Sequence, residues 1–170
     1  MKLRESFQQD GFLVQQGIYS PAELDQITSV LTANEPVSTG IWDKALCASS
    51  ARFFEFATHP AILDTLRSLL GPDIILWGGS YLRRSPGQVH LWHTDIETSR
   101  IEGGFVTVWI GLQGTSQSSA LQVIPGSHQF GVPLQKSIHD RSRLRTDTTA
   151  PEIAGWAKEY DPNSKGVFSP

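Results

Sequence analysis

Phe105-Val106-Thr107-Val108-Trp109-Ile110-Gly111-Leu112, and after it Ala120-Leu121-Gln122-Val123-Ile124-Pro125-Gly126-Ser127-His128, is the stretch on which the fold reading turns. Both runs are short, rich in β-branched and aromatic residues, and bounded by Gly and Ser, which is the pattern of strands. A Pro-Gly turn after an apolar strand, followed by Ser-His, suits a corner between two sheets of a β-sandwich. Upstream, Ile74-Ile75-Leu76-Trp77 and Ser80-Tyr81-Leu82-Arg83 read as two more strands, and Ser85-Pro86-Gly87-Gln88 as a turn. The reading is therefore mainly β with flanking helices.

Between these runs stands His90-Leu91-Trp92-His93-Thr94-Asp95. In an extended segment side chains alternate, so His93 and Asp95 share one face and Thr94 takes the other. An imidazole nitrogen and a carboxylate oxygen would then converge from one edge. The two-His-one-carboxylate arrangement of non-haem iron(II) oxygenases uses such a pair together with a second, distant His. His90, three residues before His93, would face the opposite way.

Three motifs in order, Phe7-Gln8-Gln9-Asp10-Gly11-Phe12-Leu13-Val14, His93-Thr94-Asp95 and Pro125-Gly126-Ser127-His128, resemble those of the phytanoyl-CoA dioxygenase family. The resemblance implies a double-stranded β-helix (jelly roll) that uses Fe(II), 2-oxoglutarate as cosubstrate and dioxygen to hydroxylate a small organic substrate. It implies metal ligation by His93 and Asp95, and contact with 2-oxoglutarate by Trp109, Ser80 and Lys44. Trp109 also reads as a core aromatic, and Lys44 as a surface lysine. In the family the His of the Pro-Gly-Ser-His turn is not a ligand, so His128 is expected to make a structural hydrogen bond. The distal His and the arginine that pairs with 2-oxoglutarate come later, after a turn whose lead-in Lys165–Pro170 resembles. The expectation is a jelly roll incomplete at its C-terminus and a poor catalyst. Its alternatives are recruitment of His128 or His139, a cupin-like site of His90, His93, Asp95 and His128, and an inactive remnant or binding module that keeps the His-x-Asp pair.

The 170 residues suit a single domain: a helical part over about 1–72, a sheet core over about 73–130 and a loop-rich remainder. Ser20-Pro21-Ala22-Glu23 is a capping box with Pro at the first helical position. It predicts a helix through Leu24, Ile27, Val30 and Leu31 that ends near residues 32–34. A second helix is expected from Pro60 to Leu70, started at His59 and stopped by Gly71-Pro72. Gly11–Tyr19 reads as a strand, and 132–165 lose periodicity. A net charge of −3, with 18% charged residues, favours neither nucleic acid nor an anionic membrane as partner. The single cysteine, Cys47, suits a reducing cytoplasm, and no run has signal or membrane-span length. Oligomeric state and substrate are not written in these patterns.

Overall fold

The computed structural model describes residues 2–33, 46–82, 88, 90–95, 105–116, 118–140 and 148–169. Seven α-helices occur among them: α1 (Lys2–Asp10), α2 (Pro21–Ala33), α3 (Leu46–Ser49), α4 (Ala51–Ala57), α5 (Pro60–Leu70), α6 (Leu134–Asp140) and α7 (Ala150–Tyr160). No β-strand occurs among the described residues, which overturns the mainly-β jelly-roll expectation. The single bridge between described residues joins Val123 to Phe168, antiparallel, with N–H···O distances of 2.9 and 2.8 Å.

The correction has a physical reason. A strand exists only through its ladder, and apolar alternation specifies the face of a strand but not its neighbour. Residues 105–112 show no alternation in burial: Phe105, Val108, Trp109 and Ile110 are all exposed. Ile75 is 92% and Trp77 85% exposed, so the 74–77 run is not a buried strand either.

The chain divides into two compact units: Met1–Val14 with Val89–Thr107 and Thr115–Pro170, and Gln15–Gln88 with Val108–Gly114. In the second of these, α2 begins at the capping box as read. Glu23 Oε2 accepts from the Ser20 backbone N–H and hydroxyl, both at 2.7 Å, and the Glu23 N–H donates to Ser20 Oγ at 3.3 Å. Ile27 and Leu31 of α2 bury against Tyr19 and Ile62, with Phe53, Phe56 and Leu66 packed around them. α5 spans Pro60–Leu70, and the His59 ring accepts from the Ala61 N–H at 3.3 Å, which fixes its start. Cys47 Sγ lies so close to Gly79 that an added Cβ would stand 2.3 Å from the sulfur; burial pushes the thiol up and away from nucleophile chemistry.

The other unit has its core between α6 and α7: Ile124, Leu134, Ile138, Ile153, Trp156 and Ala157, with Trp92, Phe130 and Val167 against it. Residues 132–165, expected as loop, thus contribute two helices. The start of α7 is a second capping box. Glu152 Oε2 accepts from the Thr149 N–H at 2.9 Å and hydroxyl at 3.0 Å, and Ile153, Trp156 and Ala157 follow at helical spacing. α1 replaces the polar start of the N-terminal segment and closes at Gly11, whose φ of +79° suits a residue without a Cβ. Residues 11–19, expected as a strand, carry no regular secondary structure.

Candidate metal centre

The orphan carbonyls at the end of a helix need donors. At the end of α1 they come from the Pro-Gly-Ser-His turn: Gly126 N–H donates to Asp10 O at 2.8 Å, and Gln129 Nε2 and His128 Nε2 to Gln8 O, each at 3.0 Å. The His128 ring also lies against Gly11, where a Cβ would stand 2.3 Å from Nδ1. Two of the three motifs are thereby clasped together, and His128 has a structural task.

The third motif supplies the site. His93 and Asp95 do share one side: His93 Nε2 and Asp95 Oδ1 are 3.0 Å apart, with side chains 20% and 43% exposed. His93 Nδ1 lies 2.7 Å from the Leu91 carbonyl oxygen. A carbonyl only accepts, so Nδ1 carries the hydrogen and Nε2 is the atom turned to Asp95. In the neutral ring Nε2 then presents a lone pair to a carboxylate oxygen, and two acceptors do not bond. Either a second proton on the ring or a cation must sit between them. First-row divalent ions bind such donors at about 2.1 Å, so two donors at a right angle stand about 3.0 Å apart. The two donors and their spacing would accept a first-row divalent ion such as iron(II), as they would a second ring proton.

Asp95 is held further. With the second proton on the ring, His93 bonds to its carboxyl and, first of all the causes, holds it below the usual carboxylate range; Thr107 also donates to it, against partial burial that works the other way. His90, expected on the opposite face, instead meets the His93 ring edge-on at 4.8 Å and 73°, because the segment is not a pleated strand. Thr94, between His93 and Asp95, turns away to α6: its N–H donates to Gln135 Oε1 at 3.0 Å, its carbonyl accepts from Gln135 Nε2 at 2.8 Å, and its Oγ1 accepts from the Leu134 N–H at 3.1 Å.

No group of three or more His, Cys, Asp or Glu side chains able to hold a metal occurs among the described residues. Ser80, half-buried, and Trp109, exposed, belong to the unit built on α2 and α5. Lys44, Arg141, Arg143 and Arg145 lie outside the described residues, as does the His139 side chain. Sequence reasoning passed over Thr107 and Gln135. Thr107 has a signal in retrospect, a hydroxyl inside an apolar run; Gln135 has none.

Against this geometry, the model of the family described as Phytanoyl-CoA dioxygenase (PhyH) matches residues 7–164. The chain belongs to the phytanoyl-CoA dioxygenase family. Membership of that family suggests an Fe(II)- and 2-oxoglutarate-dependent oxygenase and a small-molecule substrate. No curated protein and no solved structure matches the chain. No helix among the described residues is long and apolar enough to cross a membrane.

Proposed function

We propose that this phytanoyl-CoA dioxygenase family member is an Fe(II)- and 2-oxoglutarate-dependent oxygenase of a small organic substrate. His93 Nε2 and Asp95 Oδ1 would hold the iron. The observation that carries the reading is the 3.0 Å approach of these two atoms with the His93 proton committed to Leu91. Iron(II), with 2-oxoglutarate and dioxygen, supplies hydroxylation of a C–H bond, one oxygen atom entering the product and the other the succinate formed with carbon dioxide. The chain's own share is to keep the imidazole in one tautomer through Leu91, to bond Asp95 through Thr107, and to orient both from the backbone. Ser80, Trp109 and Lys44 are proposed contacts of 2-oxoglutarate on the family resemblance.

A second reading, a cation-binding module without turnover, is favoured by one observation: His128 is engaged by Gln8 and Gly11. One set of measurements separates the readings. Anaerobic titration with Co(II), a spectroscopic stand-in for iron(II), should show binding that His93→Ala or Asp95→Ala weakens by tenfold or more. Iron-dependent release of succinate from 2-oxoglutarate should then follow the same two substitutions. Binding without succinate supports the module. Binding that neither substitution changes refutes the site.

A further inference from the structure

The spacing of a ligand pair two residues apart is governed by the backbone at the residue between them. Rotation about Thr94 swings the Cα–Cβ bonds of His93 and Asp95 relative to each other. What fixes Thr94 therefore fixes the pair. We propose that Gln135, in the first turn of α6, is a positioning residue for His93 and Asp95; the proposal rests on the cation reading of that pair.

The geometry is specific to a carboxamide. Thr94 N–H donates to Gln135 Oε1 at 3.0 Å while Gln135 Nε2 donates to Thr94 O at 2.8 Å, across 41 residues of sequence. The two bonds run in opposite senses between one planar amide and the N–H and C=O of one residue, as in a rung of an antiparallel ladder. Gln135 thus gives Thr94 the pair of bonds that a residue of a neighbouring strand would otherwise provide. The third bond, from Leu134 N–H to Thr94 Oγ1 at 3.1 Å, ties the same residue to the start of α6. That helix is itself anchored, since Leu134 and Ile138 are buried in the core with Ile153 and Trp156, and Trp92, next to His93, packs on the same cluster. The pair is therefore referred to a packed helix instead of to a loop. Residues that orient metal ligands without touching the metal typically change its affinity by about 10- to 100-fold when replaced.

The test uses the full chain and Co(II). Gln135→Met keeps side-chain length and helix propensity but removes both polar groups. It should weaken Co(II) binding about tenfold or more and leave the thermal unfolding cooperative. In cation-free protein it should also speed exchange of the Thr94 amide and alter the 15N signals of the His93 ring. Thr94→Val, which removes only the hydroxyl bond, should weaken Co(II) less. If Gln135→Met does not fold, Gln135→Glu serves instead. An acidic residue in the first turn favours α6 and adds attraction for a cation, so a purely helical role predicts unchanged or tighter binding. Loss of the donor to Thr94 O predicts weaker binding. Co(II) affinity within twofold of the parent in the folded Gln135 variant overturns the proposal. If the parent chain itself binds no Co(II), the cation reading fails and the cation-free spectra decide: unchanged His93 ring signals in the variant then overturn the positioning role, and altered ones uphold it.

Discussion

His93 and Asp95 stand two residues apart, and that spacing lets both reach one side once the backbone at Thr94 is fixed. What that spacing could not show is who holds them. Leu91 O, Thr107 and Gln135 act through folding, from 2, 12 and 41 residues away. His90 meets His93 for the converse reason: alternation separates i and i+3 only in a pleated segment, and this one is not pleated. The held state of Asp95 has a pH signature. Its folded carboxyl lies below the ordinary value, mainly through His93. The contribution is therefore complete above the unfolded carboxylate pKa, about pH 4, and is lost as pH falls through the folded value. Asp95→Asn should flatten the acid limb of thermal stability below about pH 4; an acid limb identical to the parent's would show that the carboxylate is not held. His128→Ala makes the complementary case. It should remove one of the two donors to the Gln8 carbonyl, leaving Gln129, and lower stability, while Co(II) binding at His93 and Asp95 stays within twofold. A loss of binding comparable to that of His93→Ala would make His128 a ligand.

Among the elements, α2 and α5 were legible to within a residue because each announces itself locally, by a capping box or by His-Pro at its start and Gly-Pro at its end. α7 carries the same kind of signal in Thr149-Ala150-Pro151-Glu152, and its Ile153, Trp156, Ala157 stripe confirms it, but the Thr-, Pro- and Arg-rich stretch around it read as loop. The strands failed for a different reason. Pairing is non-local, and the β-branched and aromatic pattern of Phe105–Leu112 names no neighbour to pair with. The two capping boxes give a matched prediction. Ser20→Ala and Thr149→Ala should each cost about 1 kcal/mol of stability, measured by urea unfolding with unchanged m. Glu23 sits below its ordinary pKa because the Ser20 hydroxyl and then the Ser20 N–H bond to it. The Ser20→Ala cost should thus be largest above the unfolded glutamate pKa, about pH 4.3, and shrink as pH falls below it. Neither substitution should alter Co(II) affinity per folded molecule. A tenfold loss with Ser20→Ala would mean that α2 is more than a scaffold.

At the scale of the molecule, the candidate site and one of the two cores are parts of a single mechanical object. Trp92 packs into the cluster that holds Ile138, Ile153 and Trp156, and α6 carries both that cluster's Leu134 and the Gln135 that grips Thr94. Ile153, 1% exposed, is the large side chain most completely enclosed there. Its truncation to Ala should cost about 2–5 kcal/mol through lost burial and the cavity left behind. Core and site can nevertheless be told apart by linkage. A cation that binds the folded chain and not the unfolded one adds RT ln(1 + [cation]/Kd), about 2.7 kcal/mol at a hundredfold excess over Kd. The parent should gain that increment with Mn(II), and lose it with a chelator. Ile153→Ala, if it folds at low temperature, should start lower and gain the same increment at the same multiple of its own Kd, because its donors are intact. Asp95→Ala should keep most of the core's stability and gain little at the parent's Mn(II) concentration. Equal Mn(II) increments in Asp95→Ala and the parent would mean that the ion stabilises the chain from somewhere else, and the His93–Asp95 site would have to be given up.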